Sequence, residues 1–261
     1  MPRTSLMIIP AAGLGTRLHA STPKVLLRVN GKAMIDWLID LYSPVIERFI
    51  LVLHPSFEAL VRDHCRERST VDYARQDTAT GMLDAILAPL DRVRGASPGR
   101  IWITWCDQIA IHPDTMKQLV RVSEDHPAAP LIFPTVCRPK PYIHIVRDAN
   151  GRITDIHHRR EGDAMPELGE SDMGLFSLSA EAYSSDLPEF ALEARPAAST
   201  GERNFLPFIT WLSRRGADVR TFPARDEREA IGVNTPDDVQ AIEAYLRERI
   251  GRADQIMNES P

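Results

Sequence analysis

Apolar positions in this chain follow two patterns that alternate along its first half. Residues 5–10, opened by Ser5, and 49–53 are continuous apolar runs, and 101–105, with Thr104 as its one polar residue, is a third that ends at Cys106-Asp107. A run without polar alternation marks a strand buried on both faces, as in a parallel sheet. Between the runs, apolar residues recur at spacings of three and four. Met34, Leu38, Leu41 and Val45 mark an amphipathic helix, and residues 57–68 read as a charged surface helix. Met82, Leu83, Ile86, Leu87 and Leu90 mark a further helix over about 81–93. Strands alternating with helical patterns predict βαβ units and a mostly parallel, doubly wound sheet.

After about residue 130 the pattern changes. Short strands are predicted at 131–134, 142–146, 153–156 and 174–178, between turn signals such as Asp148-Ala-Asn-Gly151. They predict an antiparallel or mixed half added to the parallel one. A helix is expected over 204–212, a strand over 218–222 and a closing amphipathic helix over 236–250, followed by a polar, frayed tail at 251–261. Thr235-Pro236-Asp237-Asp238 reads as a capping box, with Thr235 at N-cap, Pro236 at N1 and Asp238 at N3. Asp237 and Asp238 are thereby assigned to structure, and Asn234 is left to face a cleft. Trp37, Trp102, Trp105 and Trp211 fall on apolar faces and are expected in the core. No internal repeat divides the chain, so residues 1–250 are expected to form one unit.

Composition narrows the class. At 261 residues and 43% hydrophobic, the chain can bury a core without metal or disulfide support. Lys and Arg number 31 against 36 Asp and Glu, a formal charge of −5. That balance speaks against a nucleic-acid or membrane-surface partner. The cysteines (Cys65, Cys106, Cys137) are far apart and form no C-x-x-C pair, which fits a reducing compartment. The first apolar run is too short for a signal peptide, and none is long enough for a bilayer span. The cytoplasm is the expected location.

The sharpest local feature is Ala11-Ala12-Gly13-Leu14-Gly15-Thr16-Arg17, followed by Pro23-Lys24. Glycines directly after a strand let backbone N–H groups approach phosphate oxygens, because no Cβ stands in the way. Alone, such glycines can equally form a tight turn. The dinucleotide-binding pattern is not met: Leu18 stands in place of its third glycine, and the second strand ends in His54 instead of an acid. The P-loop is not met either, since no G-K-[ST] follows. Two cations, Arg17 and Lys24, beside a phosphate-cradling loop remain.

These residues resemble the signature of the sugar-phosphate nucleotidyltransferases (pyrophosphorylases), in particular the uridylyltransferase domain acting on N-acetylglucosamine 1-phosphate. That signature is L-A-A-G-x-G-T-R with P-K downstream, and only Pro10 departs from it here. The resemblance continues in order along the chain. Gln76-Asp-Thr-Ala-Thr80-Gly81 stands at the base-contacting Q-x-G-T segment and Trp105-Cys106-Asp107 at a strand ending in a metal-binding aspartate. Asp172-Met-Gly174 stands at the N-T-G position near the sugar, Glu202-Arg-Asn-Phe-Leu at E-x-Y-L-T, and Gly232-Val-Asn234 at a second metal ligand. The departures are Thr78-Ala79 for the family's Gly-Thr, Pro141-Tyr142-Ile-His144 for Y-G-R, His158 near an acidic sugar contact, and Asp172 for asparagine. The first half thus matches better than the second.

The resemblance implies an α/β, Rossmann-like (GT-A-like) nucleotidyltransferase domain with a mostly parallel mixed sheet flanked by helices. Residues 1–130 are its nucleotide-binding half and about 131–230 its acceptor-binding half. The implied reaction is transfer of a nucleoside monophosphate from a triphosphate, UTP or CTP, to a sugar 1-phosphate or related phosphorylated small molecule, releasing pyrophosphate. Arg17, Lys24 and Asp107 are the implied catalytic residues. Residues 11–17, Lys24, Gln76, Thr80, Gly81 and Cys106 bind the nucleotide, although Gln76 and Thr80 also read as ordinary turn and cap residues. Cys106 has no base partner that would make it a nucleophile. Tyr142, His158, Asp172 and Glu202 are expected at the acceptor. Asp107 and Asn234 are expected to hold Mg²⁺, whose hard oxygen preference suits a carboxylate and an amide. His157-His158-Arg159-Arg160 is a poor metal site, because adjacent strand residues face opposite ways; contact with an anionic acceptor suits it better. Two other readings stand: a cytidylyltransferase for a polyol or amino-alcohol phosphate or phosphonate, and a non-catalytic nucleotide-sugar-binding regulatory subunit. Either enzyme reading leaves room for a homo-oligomer.

Overall fold

The computed structural model of the protein describes residues 5–13 and 22–259. Its centre is an eight-stranded sheet with the order β10-β7-β11-β6-β1-β4-β5, and β12 pairs with β7 beside this path. The strands are β1 (Ser5–Ala11), β4 (Arg48–Leu53), β5 (Val71–Arg75), β6 (Arg100–Thr104), β7 (Leu131–Pro139), β10 (Leu168–Asp172), β11 (Leu175–Ser179) and β12 (Val219–Pro223). Pairs β1–β4, β1–β6, β4–β5 and β7–β12 are parallel; those of β11 with β6 and β7, and of β10 with β7, are antiparallel. Two small hairpins lie outside it, β2 (Arg28–Val29) with β3 (Lys32–Ala33) and β8 (Ile143–Arg147) with β9 (Ile153–His158).

The continuous apolar runs are explained by burial on both faces. In β1, Met7, Ile9 and Ala11 join one apolar cluster, while Leu6 and Ile8 join the other. β4 divides the same way, with Phe49, Leu51 and Leu53 on one side and Ile50 and Val52 on the opposite side. The two clusters are the two layers between sheet and helices that a doubly wound sheet requires.

The helices are α1 (Met34–Tyr42), α2 (Pro55–His64), α3 (Met82–Leu87), α4 (Leu90–Ala96), α5 (Pro113–Asp125), α6 (Leu187–Glu193), α7 (Pro207–Arg214) and α8 (Pro236–Glu259). The single helix expected over 81–93 is two, because Pro89 has no amide hydrogen with which to continue the backbone ladder. Pro207 likewise starts α7 three residues later than expected. The last helix runs on through Gly251 to Glu259, where a frayed tail was expected. His54 and His112 each accept from the amide two residues on and precede a proline, capping α2 and α5.

Chain connectivity fixes where a ligand can sit. From β1 the chain builds outward through β4 and β5, then crosses back to β6 on the other side of β1. Strand order therefore reverses between β1 and β6, and a crevice opens beyond their carboxyl ends. The loop that follows Ala11 and the turn carrying Asp107 both emerge there.

Candidate active site

Three side chains distant in sequence meet at this crevice. Lys24 Nζ lies 2.5 Å from Asp107 Oδ2 and donates to Asn234 Oδ1 at 2.9 Å. Each is held by local structure. Lys24 begins a one-turn 3₁₀ helix closed by Leu26 and Leu27 amides on the Pro23 and Lys24 carbonyls, and Val25 anchors that turn in the core. Asp107 lies just beyond β6, and its carbonyl accepts from the Val233 amide at 3.2 Å. Asn234 is fixed by the capping box: Asp238 N donates to Thr235 Oγ1, while Asp238 Oδ2 accepts from the amides of Thr235 and Asn234. The Asn234 side-chain NH₂ turns back to the Gly232 carbonyl at 3.3 Å, leaving Oδ1 toward Lys24. A Cβ on Gly232 would crowd both Asn234 Nδ2 (3.3 Å) and Asp107 Oδ2 (3.4 Å).

A cavity of about 490 Å³ opens from Asp107 and Asn234 toward the second half of the chain. Tyr142, His158, Asp172 and Glu202 all line it, with Arg138, Arg160, Gln108 and Asn204 among its other polar walls and Trp105 and Phe205 among its apolar ones. The hairpin β8–β9 delivers one wall, where the rings of Tyr142 and His158 meet edge to face at 5.0 Å. Burial lowers the pKa of His158, favouring the neutral imidazole, and nearby Glu161 opposes this only in part. The fixed positive charge is therefore carried by Arg138 and Arg160. Arg160 lies 3.4 Å from Glu202, and Arg138 donates to the Ala230 carbonyl.

Asp172 shows the opposite stress. It is buried, and burial pushes its carboxyl up to about 6, although Oδ2 accepts from the Gly174 amide at 2.8 Å and Arg138 lies near. With the folded value above the ordinary 3.8, the stability tied to the neutral carboxyl is complete below about pH 4 and lost as pH rises through about 6. Ionisation above that range costs roughly 3 kcal/mol. Asp172→Asn, whose amide oxygen can still accept from Gly174, is therefore expected to raise Tm at pH 8 and leave it unchanged near pH 4. Equal Tm differences at both pH values would contradict this account.

A profile of the MobA-like NTP transferase domain matches residues 7–169. The chain belongs to that family. Relatives include the Bifunctional protein GlmU of Solibacter usitatus, 25% identical over 97% of this chain and 54% of its own length. That of Aquifex aeolicus is 28% identical over 94% and 54%. The chain thus spans about half the length of these curated relatives. Among solved structures, a putative glucose-1-phosphate thymidylyltransferase from Bacillus anthracis, in complex with a sucrose, superposes with a TM-score of 0.75 at 18% identity. The match covers 92% of this chain and 94% of that one. A CMP:2-keto-3-deoxy-manno-octonic acid synthetase complexed with CTP reaches 0.65 at 16% identity, covering 94% and 99%. Both likenesses establish the fold. No helix among the described residues is long and apolar enough to cross a membrane.

In this MobA-like domain the signature glycine loop is described only through Gly13; Leu14, Gly15, Thr16 and Arg17 lie outside the described residues. Ala11 and Ala12 are buried where the loop leaves β1, and Gly13 is exposed. Gln76 Nε2 donates to the Gly81 carbonyl at 2.9 Å, bracing the turn it was expected to share with a base. Gly81 has φ +124°, and a Cβ there would collide with the backbone of Arg203, so the glycine is required by packing whatever else it does. Burial, with Asp107 adjacent, pushes the Cys106 thiol up to about 12, which keeps it protonated and unreactive. Trp105, expected in the core, packs on Phe176 and Phe205 yet also lines the cavity. No local motif marks Arg138 or Gln108, and Asn204 carries no role of its own within the Glu202-Arg-Asn-Phe-Leu segment; only pairing of distant segments brings the three to one wall.

Proposed function

We propose that this protein is a nucleotidyltransferase joining a nucleoside monophosphate to a phosphorylated small-molecule acceptor. An acceptor phosphate oxygen attacks the α-phosphorus, the bond to the β-phosphate oxygen breaks, and pyrophosphate leaves. The observation that carries the reading is the convergence of Lys24, Asp107 and Asn234 at the crevice, at one end of a cavity lined by all four residues expected at the acceptor. Such displacements ask little covalent chemistry of a protein; they ask for alignment of two anions and neutralisation of their charge.

The donor set fits a divalent cation. A carboxylate and an amide oxygen already point at one positive charge, the Lys24 ammonium, and Mg²⁺ takes one or two side-chain oxygens while keeping its waters. When bound, Mg²⁺ would be held by Asp107 and Asn234 and would neutralise charge on the triphosphate. Lys24 cannot then keep both partners. Its ammonium would turn to the phosphates and lie between the α-phosphate and the acceptor, offsetting their repulsion. Arg17, next to the glycine loop in sequence, is assigned to the β- and γ-phosphates. Tyr142, His158, Asp172 and Glu202 would hold the acceptor's body.

A cytidylyltransferase acting on a polyol or amino-alcohol phosphate or phosphonate is the second reading. It is favoured by Thr78-Ala79 in the base segment and by fold likeness to a synthetase complexed with CTP. One assay tests both: pyrophosphate release from ATP, GTP, CTP and UTP, each paired with glucose 1-phosphate, N-acetylglucosamine 1-phosphate, glycerol 3-phosphate, ethanolamine phosphate, 2-aminoethylphosphonate and ethyl phosphate, with Mg²⁺ present. Pyrophosphate formation that requires both a triphosphate and an acceptor is expected. Its absence with every pair would refute the reading.

A further inference from the structure

Gln108 lines the cavity immediately after Asp107, is 6% exposed, and its Oε1 has no hydrogen-bond partner among the described residues. A buried carbonyl without a donor is unfavourable, and native proteins keep few of them. Packing explains how the side chain is held but not why it is an amide. The Gln108 backbone amide donates to the Trp105 carbonyl at 3.1 Å, and Gly174, at φ +65°, lies over the stem so closely that a Cβ there would crowd Gln108 Cγ at 2.8 Å. A methionine of the same unbranched shape would fill this position without leaving a polar atom unpaired. In the protein alone Oε1 is itself enclosed; because a glutamine's terminal torsion is broad and roughly two-fold, exchanging the two ends of the amide would turn the carbonyl to the cavity that the residue lines.

We infer that Gln108 reads the acceptor: its amide carbonyl accepts a hydrogen bond from a hydroxyl or amino group of that molecule, beside the metal-binding corner. This rests on the nucleotidyltransferase reading above and adds a specificity-determining residue to it. Neighbouring walls suit the same ligand. Asp172, Asn204 and Arg138 present further polar groups, while Trp105 and Phe205 present apolar surface to a carbon skeleton. A site built to pair with a substrate donor discriminates strongly against the analogue lacking it, since the buried acceptor is then left unpaired.

Gln108→Met tests this, because it keeps length and removes the acceptor atom. Three measurements are compared with wild type: Tm of the ligand-free protein, KM for the triphosphate, and kcat/KM for the best donor-bearing acceptor of the assay above relative to ethyl phosphate, which carries no donor. The expected results are a Tm unchanged or raised by about 2–4 °C, an unaltered triphosphate KM, and a selectivity ratio reduced about 10-fold or more. Replacing glucose 1-phosphate or glycerol 3-phosphate by ethanolamine phosphate distinguishes a hydroxyl from an amino donor. A variant with lowered Tm and an unchanged ratio would show Gln108 to be structural and overturn the inference while leaving the nucleotidyltransferase reading intact. Failure of the wild type to use any pair overturns both.

Discussion

Asp107→Asn is expected to lower turnover by about three orders of magnitude, equivalent to roughly 4 kcal/mol of lost transition-state stabilisation, while the protein stays folded and still binds triphosphate. The side chain is 16% exposed and stands at the end of β6, where water can solvate an amide, so the fold does not depend on its charge. What the carboxylate supplies is a full negative charge at a point where Lys24 and Asn234 Oδ1 also converge. An asparagine keeps the shape and removes the charge that would hold a divalent cation against competing water. Triphosphate affinity measured by calorimetry without divalent cation should change little, since the glycine loop, Arg17 and Lys24 are the groups assigned to it. Single-turnover kinetics should then place the loss in the chemical step. The wild type in excess EDTA should fall silent in the same way. Near-normal turnover in either experiment would remove the metal from the mechanism.

The two halves of the chain were unequally legible for a physical reason. In the first half, β1, β4 and β6 are buried on both faces, so their apolar runs lack polar alternation and stand out. The capping box was equally visible, because it is a local pattern whose geometry is set within a few residues. β5 was hidden: it is an edge strand, and Val71-Asp-Tyr-Ala-Arg75 is only partly buried, so no apolar run marks it. β10 carries Leu168-Gly-Glu-Ser-Asp172, a polar sequence held in the sheet by its pairing with β7. Its C-terminal end matters to the site, since Asp172 lines the cavity and the bend at Gly174 that follows passes over Trp105 and Gln108.

The ion pair between Lys24 and Asp107 could not be read from sequence at all. The two residues are 83 positions apart, and each carried a separate expected role. Their pairing follows from strand order: β1 and β6 are neighbours, so what leaves their carboxyl ends must meet. The same logic brings Asn234 to Asp107 through the Val233 amide. The topology therefore determines which charges coexist, and it creates a conflict that the separate motifs do not contain.

That conflict yields the second large effect. In the protein alone, the Lys24 ammonium lies between the two oxygens assigned to the metal, 2.5 Å from one and 2.9 Å from the other. A divalent cation taking both oxygens must displace it. A charge-assisted hydrogen bond is worth about 1.5–3 kcal/mol, so this displacement should weaken metal binding roughly 10- to 100-fold in the absence of nucleotide. A triphosphate removes the penalty by offering Lys24 anionic oxygens instead. Metal and nucleotide should accordingly bind with positive coupling, each tightening the other by the same factor. Lys24→Met separates the two roles of the residue. The variant should bind Mn²⁺ alone at least about 10-fold more tightly than wild type, because nothing occupies the place between Asp107 and Asn234. Its turnover should nevertheless fall by about three orders of magnitude, since no cation remains to offset repulsion between the acceptor phosphate and the α-phosphate. Mn²⁺ titration followed by electron paramagnetic resonance, with and without a non-hydrolysable triphosphate, reads the coupling directly. Metal affinity in Lys24→Met no higher than in wild type would show that the ammonium and the metal do not compete, and the exchange at this corner would have to be abandoned.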